Sequence, residues 1–471
     1  MAGRAVFVVP PVGFYVREER CQGSTTGLAI HTLRPPLDLA QDAAILEAAG
    51  WFAAIVDAPA EGLSQPAVLA RIAALRPDLV CTQATVPTLD ADVAFLAAVK
   101  ADNPGATIVA RGASFGLDPC GALRRFPALD VVVFHEADAA FVAFARQGSW
   151  NGVPGAAWRV DGVVASAPPV PAVLDDLPRP ARHLLKNELY TRADTGTPQT
   201  TLVTARGCPF GCSYCLASLE NGTTVRRRSP ASIRAEVEDC HRRFGIRDFL
   251  FLADTFTLDG AWVETLCREL IATGLPIRWV CNSRVDCLDE ARVAWMRRAG
   301  CWGVSLGIES GDDDTLRRIG KGTRVDQARA ATALLRRHGI LSLGYLMIGF
   351  PWEDEARIRR GFEGFLDIDP DLAEILFPYP FPGTRIREDM IGAGVLAPDA
   401  TPGDACARPA APTPTVSVER LVALRTELLR RFVLRPRFLA RMARRIADPR
   451  VLAQGIRMGW RLARDRLGAR G

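Results

Sequence analysis

The sequence predicts an α/β protein: an N-terminal doubly wound, Rossmann-like parallel sheet, then a partial (β/α)6 barrel and a C-terminal helical tail. Three observations predict it. Short apolar runs alternate with amphipathic helical patterns along most of the chain, the rhythm of parallel sheets flanked by helices. Proline-rich stretches at residues 167–180 and 398–414 break that rhythm. From Val416 onward 15 arginines face four acidic residues, a surplus of eleven, so within the total of +5 the rest of the chain carries about −6.

Residues 1–150 form the first unit. Strands are predicted at residues 5–9, 53–56, 79–81, 107–109 and 131–134. Helices lie between them at 37–49, 65–75, 90–101 and 121–126, with Gly50 as a C-cap. Residues 151–198 connect the units: residues 157–164 read as a hairpin turning at Asp161-Gly162, followed by the proline-rich linker. The barrel occupies residues 199–397, with strands near Leu202, Phe249, Trp279, Val304, Tyr345 and Ile375. One of its helices starts at Ser229-Pro230, buries Ile233, Val237 and Cys240, and stops at Gly245. Residues 398–471 are a linker and an arginine-rich helical tail.

Length and composition narrow the class. A chain of 471 residues has ample core for two or three domains. Twelve cysteines gathered around one motif, without a signal peptide, predict a reduced cytoplasmic protein rather than a disulfide scaffold. No apolar stretch reaches the length of a membrane span. The main body has no basic patch interleaved with aromatics, so a nucleic-acid partner is not expected. Lysine occurs only at Lys100, Lys186 and Lys321, a bias that fits genome composition.

The chemistry begins at Cys208, Cys212 and Cys215, directly after the first barrel strand. Three thiolates this close can bind three irons of a [4Fe–4S] cluster and leave the fourth iron open. A zinc site or plain reduced thiols are the alternatives. Zinc needs a fourth ligand, and the nearest candidates, Cys240 and His241, fall inside a predicted helix. Each later strand ends in a polar or glycine-containing cluster: residues 253–255, 282–284, 307–310, 348–351 and 377–380. In a β/α barrel, function sits at those ends.

The C-x3-C-x2-C spacing, with an aromatic before the last cysteine, resembles the radical S-adenosylmethionine (SAM) superfamily. The resemblance implies a SAM site among the strand ends. Arg284 would hold the SAM carboxylate and Glu309 the ribose hydroxyls, with Asp254, Asn282 and Ser310 beside them. Tyr214 and the turn at Gly349 and Pro351 would flank the adenine. Residues 251–257, 281–286, 307–311 and 319–322 are similar to the cobalamin-binding (class B-type) radical SAM enzymes, as are residues 56–62, 76–80 and 134–138 of the first unit. The branch with the hopanoid-associated enzymes and the anaerobic Mg-protoporphyrin cyclase is nearest, partly from the tail segment 434–437.

That likeness implies cobalamin as a third cofactor, with Thr82, Thr85 and Gly112 as its contacts. Two departures stand out. The D-x-H-x-x-G motif, whose histidine ligates cobalt, is missing: His31 lies in the corresponding loop, but Ala29 and Arg34 do not fit the pattern. Cobalamin is therefore expected base-off, without a histidine ligand. His135-Glu136 also stands where the family often has glycine before the glutamate.

The expected function is cobalamin-dependent methylation of an unactivated carbon. The alternatives are radical ring contraction, cyclisation or another rearrangement without methyl transfer, and, from another class, an Fe–S electron-transfer or binding module. Expected partners are a small-molecule or lipid-like substrate and an external reductant such as flavodoxin or ferredoxin. The tail reads either as a helical pair packed on the barrel or as contact with the inner face of a membrane.

Overall fold

Two parallel sheets carry the chain, and each turns its carboxyl edge toward loops of its neighbour. The computed structural model describes residues 3–18, 22–24, 33–400 and 408–446. The first sheet contains β1 (Arg4–Val9), β2 (Phe52–Asp57), β3 (Leu79–Gln83), β4 (Thr107–Arg111), β5 (Val131–Val133), β6 (Ala156–Val160) and β7 (Val163–Ser166). Their order is β2-β1-β3-β4-β5-β6-β7, parallel as far as β5. Such an order reverses direction between β1 and β3, and ligands bind beside that switch point.

Both faces of the sheet are covered. Leu39, Ala43, Phe141 and Phe144 pack with Phe7 and Val109 on one side, while Val68, Ile72, Leu96 and Val99 pack with Val8 and Val80 on the other. This is why the strands read as unbroken apolar runs instead of alternating ones.

The expected hairpin turns at Asp161 and Gly162, both at positive φ (48° and 79°), as a tight two-residue turn requires. It pairs antiparallel with β5 and so extends the first sheet, supplying partners to an edge that would otherwise be bare. The connector then ties the units together. The Tyr190 hydroxyl donates to Asp57 (2.8 Å), and Arg182 donates to the Thr201 carbonyl (2.7 Å) and pairs with Glu236.

The second sheet is wholly parallel, in the order β8 (Gln199–Val203), β9 (Asp248–Leu252), β10 (Arg278–Arg284), β11 (Cys301–Glu309), β12 (Leu341–Met347) and β13 (Leu372–Leu376). Here burial alternates. Phe249, Phe251, Trp279, Cys281, Val304, Leu306, Leu346 and Ile375 are buried against the outer helices. Their neighbours Leu250, Val280, Asn282, Ser305, Leu343 and Tyr345 are only half-buried. A barrel of six strands does not close, so its inner face lines an open lumen instead of packing on itself.

The helix Pro230–Phe244 forms as expected, with the Ser229 hydroxyl accepting from Ser232 N (3.2 Å) and Gly245 in the left-handed region. In the tail, the helix Val418–Val433 buries Leu421, Leu424, Leu428 and Phe432 in the barrel core. Its flanking charges are paired: Arg420 with Glu355, Arg431 with Glu363 and Arg435 with Asp369. No described helix is long and apolar enough to cross a membrane.

Candidate active site

The cysteine loop leaves β8 through a two-stranded ribbon, Ala205–Arg206 against Arg226–Arg227. Gly207 (φ 95°) starts it so close to the ribbon that a Cβ there would lie 2.1 Å from the Thr224 carbonyl oxygen. Cys208 is buried, Cys212 and Cys215 are half-buried, and none of the described cysteines forms a disulfide. Burial raises the Cys208 thiol above its ordinary range, while the Phe210 N–H opposes that shift. Ala217 N donates to Cys215 Sγ (3.4 Å). Main-chain N–H groups aimed at sulfur suit thiolates that bind metal. Among the described residues no three Cys, His, Asp or Glu side chains converge on a single ion, whereas each thiolate of an iron–sulfur cube needs only its own iron.

The strand ends surround this loop. Asp254 accepts from Gly207 N (2.8 Å) and from the Asn221 side chain (3.1 Å), which pins the loop's start to the end of β9. Asn282 donates to the Asp254 carbonyl (3.2 Å), and its own Oδ1 is buried without a partner. An orphaned buried acceptor beside the cysteine loop fits a bound donor such as the SAM amino or ribose group. Arg284 chelates Asp286 through two 2.9 Å bonds and stacks its guanidinium 3.6 Å from the Phe210 ring centre.

Glu309 (φ 65°) ends β11 in a left-handed turn and accepts from Lys321 (2.9 Å), which also reaches the Tyr214 hydroxyl (3.2 Å). Burial opposes the charge on Lys321, yet Glu309 and Cys212 together hold the ammonium above its usual range. Gly307 makes this possible, since a Cβ there would stand 2.6 Å from both Glu309 Oε1 and Lys321 Nζ. Ser310 is spent on the turn, accepting from Asp312 N (3.1 Å). At the end of β12, the Gly349 and Phe350 N–H groups donate to Glu353 (2.8 and 3.0 Å), which shapes the turn holding Pro351. Burial pushes the Glu353 carboxyl up to about 7.

Sequence reasoning named neither Lys321 nor Glu353 for this site. Lys321 lies within the segment 319–322 that resembles the family, and that segment was the available signal for it. Glu353 offered none, because its partners are main-chain groups.

The first sheet's edge is built differently. Thr82 is fully buried and donates to the Val8 carbonyl (2.7 Å), so its hydroxyl belongs to the sheet. Thr85, Thr88 and Asp92 form a hydrogen-bonded chain that ends on Arg17, which chelates Asp92 (2.9 Å) and caps the Gln83 carbonyl (2.7 Å). Gly112 (φ 135°) passes so near β3 that a Cβ would lie 2.4 Å from the Ala84 carbonyl oxygen. His31 lies outside the described residues.

A cavity opens where this edge meets the barrel, lined by Val9, Tyr15, Arg17, Asp57, Thr201 and Leu252. It touches the carboxyl ends of β1 and β2 and the last residue of β9, the side on which parallel sheets bind ligands. Beside it, Arg206 and Arg226 of the ribbon bind Asp138 and Glu136, which follow β5.

Residues 25–145 match the B12 binding domain and residues 202–360 the Radical SAM superfamily. An uncharacterized methyltransferase of Pyrococcus horikoshii is 31% identical over 373 residues, covering 78% of this chain and 81% of that protein. The chain belongs to the radical SAM enzymes that carry a B12-binding domain. The anaerobic magnesium-protoporphyrin IX monomethyl ester cyclase of Rubrivivax gelatinosus is 29% identical over 76% of this chain and 66% of its own length. The methyltransferase TsrM of Kitasatospora setae shares the fold, with a TM-score of 0.67 at 20% identity over 81% of this chain and 75% of that one. The cobalamin-dependent radical enzyme OxsB does so at 0.65 and 15%, over 82% and 55%. The protein is therefore a radical SAM enzyme whose cofactors are a [4Fe–4S] cluster, SAM and cobalamin.

Proposed function

We propose that the protein methylates an unactivated carbon of a small-molecule substrate held in the barrel lumen. The observation that carries this reading is the inner face of the unclosed barrel, half-exposed along β9 to β12, whose strand ends carry the candidate SAM residues beside the cysteine loop. When bound, the cluster and SAM supply reductive C–S cleavage and cobalamin supplies a methyl carrier. Cys208, Cys212 and Cys215 would bind the cluster, and Asn282, Arg284 and Glu309 would bind SAM. Tyr214 and the Gly349–Pro351 turn would close around the adenine, while Asp254 and Ser310 hold the surrounding loops. Thr82 within the sheet and Thr85 and Gly112 just past the strand ends would shape the cobalamin cradle, and an external reductant such as flavodoxin or ferredoxin would supply electrons.

The test is anaerobic turnover with SAM carrying a deuterated methyl group, a chemical reductant and a metabolite extract. Methylation gives a deuterated product together with both S-adenosylhomocysteine and 5′-deoxyadenosine. 5′-Deoxyadenosine without S-adenosylhomocysteine would favour ring closure or rearrangement, the reading that the cyclase relatives support. Cobalamin is proposed to bind base-off without an imidazole, so the Co(II) protein should give an electron paramagnetic resonance spectrum free of nitrogen superhyperfine splitting. Splitting that vanishes in His31→Ala would overturn this.

Membrane contact through the tail draws support from exposed Leu434 and Leu439 and from Arg430. Arg420, Arg431 and Arg435 are already paired with barrel carboxylates, which supports a helix packed on the barrel.

A further inference from the structure

On the inner face of the barrel, parallel register sets four residues in one row across the strands. Arg284 of β10 lies beside Gly307 of β11, Gly307 beside Tyr345 of β12, and Tyr345 beside Glu374 of β13. The face is fixed by alternation: Leu346 and Ile375, next to Tyr345 and Glu374, are buried in the core against the outer helices. The row therefore begins at the proposed SAM site, where the Glu309–Lys321 pair lies over Gly307. It ends at Glu374. At about 4.8 Å per strand, Glu374 stands roughly 10 Å from that pair, a gap that fits a small molecule.

Glu374 differs from the other two charges of this face. Arg284 has Asp286 and Glu309 has Lys321. Glu374 has no hydrogen-bond or ion-pair partner among the described residues. It is exposed to solvent on the barrel's inner face, and surrounding protein raises its carboxyl above the ordinary range. The one charge it feels is Arg34, and Arg34 is already paired with Glu18. Along the row below, Leu343 and Leu372 present apolar side chains. A carboxylate only accepts hydrogen bonds, so a cationic donor is its natural complement on this face.

We propose that Glu374 is the substrate-recognition residue of this enzyme and binds the protonated amine of a small amphiphilic substrate. The substrate's apolar body lies over Leu343 and Leu372, and its reacting carbon lies between Tyr345 and Gly307. This assignment rests on the proposed function, because it takes the lumen to be the substrate site.

The experiment uses the enzyme reconstituted with cluster, cobalamin and SAM, titrated calorimetrically with n-heptylamine, heptanol and heptanoate at neutral pH. Wild type should bind heptylammonium about tenfold or more tightly than heptanoate, the discrimination expected of one charge-assisted contact. Glu374→Gln should lose that preference, and Glu374→Asp should keep part of it. Equal affinities in wild type, or an amine preference that survives in Glu374→Gln, would overturn the assignment. Substrate-free formation of 5′-deoxyadenosine by wild type is measured separately. Its absence would count against the radical reading of the site, while the titration alone decides Glu374.

Discussion

The two carboxyl edges of this molecule spend their polar groups in opposite ways. At the first sheet's edge, Asp42, Asp92, Glu136 and Asp138 each hold an arginine, and Thr82 is bonded into the sheet. At the barrel edge, Asn282 Oδ1 is an orphan, Glu374 is unpaired, and the inner face is half-exposed along β9 to β12. The first edge is thus preorganised by ion pairs, although Asp42 Oδ1, Asp138 Oδ1 and Arg17 Nε are buried there without a hydrogen-bond partner, and a ligand meets charges that already have counter-ions. The second edge keeps side chains that need a ligand to complete them. Substitutions should therefore cost folding at one edge and binding at the other.

The largest expected effect is at the cysteine loop. Cys212→Ala should abolish both the iron–sulfur centre and 5′-deoxyadenosine formation while the fold persists; full iron and sulfide content in that variant would refute its role as a ligand. Next comes the interface. Arg206→Met leaves Asp138 without its cation in a buried setting, while Glu136 keeps Arg226, and should cost about 3–5 kcal/mol in chemical denaturation. A loss of SAM affinity with unchanged stability would contradict the contrast between the edges.

Glu353 gives a pH test. Its carboxyl titrates near 7 in the fold against 4.5 outside it, so the folded state holds the proton more tightly. Its stability contribution is complete below pH 4.5 and falls as pH rises to 7, by up to about 3 kcal/mol. Glu353→Gln keeps an acceptor for Gly349 and Phe350 and should flatten that fall; an unchanged pH–stability profile would disprove the assignment.

Glu309→Ala should weaken SAM binding by about 1–3 kcal/mol, with an intact cluster by electron paramagnetic resonance. Unchanged affinity would remove Glu309 from the site. The smallest effect is expected at Thr82→Val, about 1 kcal/mol of stability from the lost hydrogen bond to Val8, with cobalamin content preserved.

Much of this was legible in the sequence. The three cysteines, the strand-end glycines and the polar ends of β9 to β12 are local signals, readable from spacing alone. The doubly wound sheet was legible because burial on both faces forces apolar runs. The interface was not. Arg206 and Arg226 meet acids 68 to 90 residues away, and two arginines in an arginine-rich chain announce nothing. Nor was the partial exposure of the barrel's inner face, since a half-buried leucine is spelled like a buried one. Glu374 could be weighed only once parallel register placed it in a row with Arg284.

Arg206 stands two residues before Cys208 and is bound to Asp138 of the other unit. A hinge between the units would have to rupture that bond and its companions at Glu136, while dragging the cysteine loop with it. The ribbon's ion pairs in this sense act as a gauge that sets the gap between the two cofactor edges. Widening that gap would strip buried acids of their cations, so the spacing is written into the same two arginines that anchor the cysteine loop.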